Sequence, residues 1–470
     1  MAESAHEAQS DAVPTPTVEE RLFEMFEDTK NQTQTDGPPK IQKVIFLLRD
    51  HKHFVKHYEP RVVSLGPIHH GNKKYQLSEK FKLRLAREFV KRSGNSIKDI
   101  FMAIKKKITE LRDCYEVEVN EKYKNDVVLT WILVIDGSAI LQYICSAVAD
   151  EFKKFKIKAD SVAFCQQDLF LLENQVPYRL LEELMSLSEM KEKLEKSIDE
   201  FIKRNLNMRI MNQQSSQEQA GESGKSKKPT HLLDLLRTSL LGPARKPKEG
   251  EQSSRKQQKN KTKNDRDWQS YRNMQELIAA GIHVKRSEDN SLRGISFSRK
   301  FNFYPGFLSL PPLIVDDSTG PKFLNLIAYE MCLDFQNDFG ITSYISFLDS
   351  LIDEANDVKE LRKARVLFNL LGSDEEVARL FNEIGTDLVP NIDEYDDVKW
   401  QIQEYYDKTW VTWVAEFFHN HFSSPWTLLA FFGALFALAL SATQTWYAVD
   451  SPPSPCDKFC EKFNQNLRKG

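Results

Sequence analysis

The chain has 470 residues, of which 41% are hydrophobic and 28% charged, and its formal net charge is −3. This composition is typical of globular domains and argues against a disordered chain. The near-neutral charge is unlike the strongly basic domain that nucleic-acid binding favours, so we expect no nucleic-acid partner.

The chain begins with a segment, residues 1–40, that is punctuated by proline and glycine and lacks the apolar stretch of a secretory signal. It predicts a flexible lead. Residues 41–204 have helical periodicity and predict the first part of a helical body. The pattern predicts an amphipathic helix over 96–112. The helix before it is predicted to bury a stripe of four side chains, Leu77, Phe81, Leu85 and Phe89.

A strongly apolar run at 127–145 is interrupted by Asp136-Gly137 after nine residues. We interpret it as a core helix and a turn, because an uninterrupted span needs about 20 apolar residues.

Residues 205–267 are rich in Gln, Ser, Lys and Gly and predict a basic low-complexity insert. Within it, residues 231–236 form an apolar island. We expect this island to be a short helix packed on the body, since exposed leucine pairs would gain nothing. The basic residues are interpreted as a solvated linker, with contact to anionic lipid head groups as the alternative.

Residues 268–424 predict the second part of the body. Apolar residues alternate between 282 and 315, which predicts two or three short strands. Ser373 and Glu376 have the spacing of a capping box and predict a helix start. A final helix is expected over about 396–419. The predicted fold class is therefore mainly α: a large helical body with a small β element, plus one C-terminal transmembrane helix.

The predicted transmembrane helix is residues 425–449, followed by a short tail, residues 450–470. Residues 426–449 contain no charge, and a helix of this length spans about 36 Å, enough for the hydrocarbon core. Aromatic residues at both ends suit the two membrane interfaces. The residues that mark the span are Trp426, Leu428, Phe431, Phe436, Leu440, Trp446 and Val449. We therefore expect a single-pass protein of the plasma membrane or an endomembrane.

The orientation of this span is predicted differently by two signals. A short tail and no preceding signal indicate a tail anchor with the body in the cytosol. Four basic residues in the tail, against one lysine at 401–424, favour a cytoplasmic tail instead. We favour the cytosolic body, because moving it across a membrane without a signal is the larger requirement.

A histidine cluster at 51–70 is the most enzyme-like feature. His53 and His57 have the i, i+4 spacing that a metal can use on a helix, with His69 or His70 as a third ligand. No acidic residue or cysteine completes a recognised spacing, and the motifs of nucleotide-binding loops, serine hydrolases and zinc proteases are absent. A metal-dependent enzyme is the alternative hypothesis; we assign no catalytic residue, cofactor or metal.

Several motifs together resemble one plant family, domain of unknown function 247. They include Val63-Ser-Leu-Gly-Pro-Ile-His-His-Gly71, Asp168-Leu-Phe-Leu-Leu-Glu-Asn-Gln-Val-Pro177 and Asn325-Leu-Ile-Ala-Tyr-Glu330. The resemblance covers about residues 41–449. The motif residues taken as candidates are Gly66, Pro67, His69, His70, Asp136, Gly137, Asp168, Leu172, Glu173, Asn174, Gln175 and Pro177.

The resemblance implies one C-terminal membrane segment and no catalytic activity. Some grass members are implicated in pollen–stigma self-incompatibility, which implies a recognition role with a protein partner. The side chains of Glu173, Asn174 and Gln175 have a physical interpretation of their own, since three hydrogen-bonding groups follow an apolar run and precede Pro177. We interpret them as a buried structural network, with a ligand site as the alternative.

Overall fold

Helices build most of the body, and the predicted class, mainly α with a small β element, is confirmed. The computed structural model describes residues 17–31, 39–50, 54–155, 157–206, 228–243, 273–299, 305–406, 425–449 and 455–468. The first helices are α1 (Val18–Asn31), α2 (Phe46–Arg49), α3 (Val55–Tyr58), α4 (Gln76–Ser93), α5 (Ile97–Lys105), α6 (Ile108–Arg112), α7 (Val117–Lys122), α8 (Asp126–Ala149), α9 (Ala159–Asp168), α10 (Tyr178–Ser186) and α11 (Lys191–Asn205).

Helix α8 is the centre of the first half, and α4, α5, α10 and α11 pack around it. The predicted turn at Asp136-Gly137 is wrong, because α8 runs unbroken through both residues. Asn125 begins the helix by accepting a hydrogen bond from the N–H of Val127 at 2.9 Å. A Cβ at position 137 would lie 2.6 Å from the Leu184 side chain. The glycine therefore allows α10 to pack closely against α8.

Two predictions for the neighbouring helices need correction. The helix expected over 96–112 is divided into α5 and α6, with a turn at residues 106–107. On α4, Leu85 and Phe89 are buried as predicted, but Leu77 is 76% exposed and Phe81 36% exposed. The buried stripe therefore covers only the second half of α4.

The second half of the body continues the same core. Its helices are α12 (Leu232–Leu241), α13 (Met274–Ala279), α14 (Thr319–Glu330), α15 (Gly340–Asp349), α16 (Ala355–Lys363), α17 (Asp374–Gly385) and α18 (Asp396–Tyr406). Helix α14 packs against α3 from the first half, and one contiguous cluster of buried apolar side chains includes both halves. Helix α12 is the predicted island, and Leu232, Leu233 and Leu236 are buried, as expected.

The small β element consists of two sheets. The strands are β1 (Ile282–Arg286), β2 (Ser296–Ser298), β3 (Gly306–Leu310), β4 (Leu313–Val315) and β5 (Leu367–Asn369). In the first sheet β3 is central, parallel to β1 and antiparallel to β2; in the second, β4 pairs parallel with β5. The described residues between 282 and 315 thus contain four strands, whereas the sequence predicts two or three, and it does not predict β5.

Helix α17 begins as the sequence predicts. The Ser373 hydroxyl accepts a hydrogen bond from the Glu376 N–H at 3.3 Å. The Glu376 carboxylate accepts a hydrogen bond from the Gly372 N–H at 3.1 Å, whereas a standard capping box would use the Ser373 N–H. The chain therefore satisfies two backbone donors at this end with a shifted form of the capping box.

Two further helices follow the body, α19 (Pro425–Val449) and α20 (Pro455–Leu467). The last part of the helix predicted over 396–419 lies outside the described residues. Within the described chain, Asp126–Ala149 and Leu429–Val449 are long and apolar enough to cross a membrane. The first is 83% buried and is a core helix, whereas the second is 0% buried. All seven residues predicted to mark the span belong to α19.

Candidate functional site

The loop at 61–66 is fixed by the buried carboxylate of Asp168. Asp168 ends α9 and accepts hydrogen bonds from the backbone N–H groups of Arg61, Val62 and Val63 at 2.8–2.9 Å. Burial raises the pKa of Asp168, while the three N–H groups act in the opposite direction. The carboxylate therefore serves backbone donors that a buried loop would otherwise leave unpaired.

Asn174 holds the same loop from the next turn of the chain. Its Oδ1 accepts from the Leu65 N–H at 2.7 Å, and its Nδ2 donates to the carbonyls of Val63 and Asp168. All of these groups are buried. One amide thus joins two chain segments more than a hundred residues apart.

Gln175 extends the network into the second half of the body. Its Nε2 donates to the carbonyls of Leu169 and Leu171 at 2.9 and 2.7 Å. Its Oε1 accepts from the N–H of Leu233, at the start of α12. Both N–H donors of this side chain and one of the two lone pairs of its oxygen are therefore used within the body.

Glu173 is the third polar side chain of the motif. Its Oε1 accepts from the Val44 N–H at 2.9 Å, and its Oε2 lies 2.8 Å from Arg49 Nη2. His69 Nε2 lies 3.0 Å from the same Oε2, at ion-pair distance but without hydrogen-bond geometry. Glu173 therefore ties residues 44–49 to the 63–71 motif.

A buried ion pair lies beneath the same loop. Lys82 Nζ, on α4, lies 2.7 Å from Asp136 Oδ1 and 2.8 Å from Glu79 Oε1, and donates to the Ser64 carbonyl at 2.7 Å. Asp136 Oδ2 accepts from the Gly66 N–H at 2.9 Å. Lys82 and Asp136 are only 2% and 1% exposed. Burial lowers the pKa of Lys82, but the two carboxylates outweigh this effect and raise it.

The other motif residues lie around this network. Leu172 is fully buried, and its N–H donates to Asn325 Oδ1 at 2.8 Å. Pro177 precedes α10, where the Tyr178 N–H donates to the Thr230 carbonyl. His70 lies edge-on to Tyr123, with the ring centroids 6.1 Å apart, and burial lowers its pKa. Pro67 is also buried in the 63–71 motif.

Gly66 is required by the geometry of this loop. Its φ is +68°, and a Cβ would lie 2.5 Å from the Gln175 carbonyl oxygen. We predict that Gly66→Ala lowers the free energy of unfolding by about 2–3 kcal/mol, through strain and overpacking. The control is Gly71→Ala, where φ is +83° but nothing lies within 4 Å. Chemical denaturation should give a clearly smaller loss for Gly71→Ala; equal losses would contradict the close contact.

A second buried network joins α12 to the second half. Glu330, on α14, accepts from Arg237 Nε at 2.7 Å, and from the N–H groups of Ile341 and Thr342 at 3.0 and 2.8 Å. The Thr342 hydroxyl donates to it as well, at 2.7 Å. Arg237 also contacts Asp338 at 2.7 Å. Glu330 therefore anchors the N-terminal end of α15.

Sequence reasoning missed Lys82, Arg237 and Glu330 as members of these networks. Glu330 ends a quoted motif, but nothing in the local pattern shows that its carboxylate faces the next helix. Lys82 follows Phe81 on an amphipathic helix, and a lysine there is ordinarily solvated. Its partner, Asp136, is the charge that interrupts an apolar run, and that interruption was the available signal.

The structure does not support a metal site in the part of the chain it describes. His51 and His53 lie outside the described residues. Among the described residues, no group of three or more His, Cys, Asp or Glu side chains is arranged to hold a metal ion. Desolvation, assisted by Lys56 and Arg61, lowers the pKa of His57 to about 4.

His231 makes the body sensitive to acid. It is fully buried at the start of α12, where its Nδ1 accepts from the Asp234 N–H at 3.1 Å. Burial lowers its pKa from 6.5 to about 4. Between these values the unfolded chain binds a proton that the folded chain rejects. We therefore predict that the contribution of His231 to stability is full above pH 6.5 and falls as the pH drops, by roughly 3 kcal/mol at pH 4.

The prediction is tested by measuring unfolding from pH 7 to pH 4 for the wild type and His231→Gln. Glutamine does not titrate, so the variant should have a flatter pH dependence, whatever its stability at neutral pH. Parallel pH profiles would contradict the role assigned to His231.

An exposed apolar surface lies at the N-terminal end of α8. The N-terminal turns of that helix expose Val127, Val128 and Trp131, the last 47% exposed. Phe101 on α5 lies beside it, with its ring centroid 6.4 Å from that of Trp131, and Met102 is exposed next to it in sequence. We name these five residues the Trp131 patch. Tryptophan is enriched among residues that dominate protein interfaces.

The comparisons with known proteins identify relatives along most of the chain. A family described as plant protein of unknown function, DUF247, matches residues 41–440. The UPF0481 protein At3g47200 of Arabidopsis thaliana is 28% identical over 411 residues, which cover 84% of this chain and 83% of the relative. A second Arabidopsis thaliana UPF0481 protein, At3g02645, is 26% identical over 178 residues, 37% of this chain and 32% of its own. No solved structure matches.

Proposed function

Since the chain belongs to DUF247, a plant family of unknown function, we propose that it is a membrane-anchored protein that binds a protein partner through its helical body. The observation that carries this proposal is the contrast between the two long apolar helices. Helix α8 is buried in the body, whereas 0% of Leu429–Val449 is buried. A fully exposed apolar helix of this length is stabilised by a bilayer and destabilised by water.

The role as a binding protein is supported by the state of the polar groups. The carboxylates of Asp136, Asp168, Glu173 and Glu330 are each engaged by several donors within the body, as a structural network requires. We therefore propose no catalytic activity. The Trp131 patch is the proposed contact surface, because its residues are apolar and wholly or partly exposed and include a tryptophan.

The membrane proposal is tested by localising a tagged full-length chain and digesting intact vesicles with protease. We expect the protein in the membrane fraction, resistant to carbonate extraction, with the body digested from the cytosolic side. Deletion of 425–449 should release it. A soluble full-length chain would overturn the proposal. Glycosylation at either sequon, Asn31-Gln-Thr or Asn260-Lys-Thr, would show that the body lies outside the cytosol.

The partner proposal is tested by affinity capture with the full-length chain, comparing Trp131→Ala with Trp400→Ala. Trp400 on α18 is a matched control, since it is 48% exposed and the Trp131 patch does not include it. We expect a partner retained by the wild type and Trp400→Ala but lost with Trp131→Ala. Identical retention by all three would overturn the assignment of the surface. Because some grass members of the family are implicated in self-incompatibility, we direct the search towards a recognition partner of that type.

A further inference from the structure

A cavity of about 320 Å³ opens between the 61–65 loop and helices α4, α8 and α9. Its volume falls within the ~300–1,000 Å³ range of small-molecule sites. Apolar side chains form most of its surface, among them Val63, Phe81, Ile140 and, directly after α9, Leu169. Lys82, which pairs with Asp136, is one of the lining residues, so the networks described above also shape this cavity.

The apolar stripe of α4 ends at the cavity. Along the stripe, exposure falls from 76% at Leu77 and 36% at Phe81 to full burial at Phe89. Leu77, Phe81 and Leu85 all line the cavity. The part of the stripe that the body leaves uncovered is therefore the part that faces this space, and an apolar ligand would cover it.

The charged side chains that line the cavity are all basic. Its lining includes Arg61, Lys74 and Lys82 and, among the described residues, no aspartate or glutamate. Lys82 is neutralised by Asp136, and Lys74 lies 3.5 Å from Glu59.

Arg61 differs from these two lysines. Its Nη1 donates to Gln167 Oε1 at 3.2 Å, and its guanidinium lies 5.2 Å from the centre of the Phe164 ring. Within the described part of the chain it makes no ion pair. Its planar group, which pairs well with carboxylates, therefore stands at the cavity with no carboxylate at ion-pair distance among the described residues; the buried Asp168 acts on it only from further away.

We propose that this cavity binds an amphipathic carboxylate of the fatty-acid class, with its apolar chain against α4 and α8 and its carboxylate at Arg61. Binding is non-covalent. The one thiol that lines the cavity belongs to Cys165, and burial raises its pKa to about 12, which keeps it protonated and unreactive. This site is separate from the Trp131 patch.

The test uses the full-length chain in amphipol and two probes, a fluorescent long-chain fatty acid and its methyl ester. Ser161, partly exposed on α9, lines the cavity, and Ser161→Phe should fill it. Ser186→Phe on α10 is the matched control at an exposed position outside the cavity. Arg61→Gln removes the cation, and Arg87→Gln on α4 is its matched control at an exposed position.

We expect saturable binding of the acid, about tenfold tighter than that of the ester. Ser161→Phe should lose both probes while retaining the wild-type unfolding midpoint, and Ser186→Phe should lose neither. Arg61→Gln should bind the acid no better than the ester, and Arg87→Gln should keep the preference. Equal binding of the acid by wild type and a folded Ser161→Phe would overturn the site. An unchanged acid preference in Arg61→Gln would overturn the role of Arg61.

Discussion

Replacing Lys82 with methionine is expected to lower the free energy of unfolding by about 3–5 kcal/mol, because it leaves Asp136 charged and buried without its cation. The carboxylate would keep only the Gly66 N–H as a close donor in the described structure. Asp136→Asn should cost a similar amount, since it leaves the buried ammonium of Lys82 with Glu79 as its one nearby carboxylate in the described structure.

The decisive measurement is a double-mutant cycle by denaturant unfolding of the full-length chain. With both charges removed, Lys82→Met/Asp136→Asn should be more stable than the sum of the two single losses predicts, by at least 1 to 2 kcal/mol, roughly the coupling of groups in contact. Lys80→Met, at an exposed position on the same helix, is the control and should change stability by under about 0.5 kcal/mol. Additive single losses would show that the two side chains act independently.

Glu330→Gln is expected to be comparably severe, at about 3–5 kcal/mol. The amide removes the negative charge that neutralises Arg237. The carboxylate accepts four hydrogen bonds, two at each oxygen, and the amide places an N–H₂ group against the two donors at one of these positions. The effect should concentrate at the start of α15, whose first N–H groups lose their acceptor.

Hydrogen exchange followed by mass spectrometry would locate this loss. Amides at the start of α15 and in α12 should exchange faster in Glu330→Gln, whereas those of α4 should not change. Glu375→Gln, at an exposed position on α17, provides the control and should leave both stability and exchange as in the wild type. Uniformly faster exchange through the whole body would contradict a local anchoring role.

The sequence predicted the helical class and the apolar helix at the C-terminus because both depend on periodicity and length. It also indicated that Glu173, Asn174 and Gln175 form a structural network, since polar groups beside an apolar run need partners. What it could not predict was which distant segment supplies each partner. Gly66 contacts Asp136 and Gln175 only in the folded chain, and the 136–137 pair was misread as a turn because its tertiary partners, Lys82 and Leu184, are not local.

Short β elements were predicted incompletely for a related reason. Strand β5 has three residues and pairs with β4 across more than fifty residues. A run of that length carries no period of its own, and parallel pairing depends on the helices between the strands. The exposure of Leu77 could not be predicted either. Periodicity shows which side chains share a face of α4, but not how much of that face the neighbouring helices cover.

Helix α12 has a consequence for how the chain can be divided. Its Leu233 N–H binds Gln175 in the first half, and its Arg237 binds Glu330 in the second. Both halves are thus joined through α12 by noncovalent contacts that do not need the peptide bonds on either side of it. A chain cut between 206 and 228, and again between 243 and 273, should remain one assembly of three fragments. The two halves, produced separately with α12 attached to either one, should then reassemble into the folded body when they are mixed.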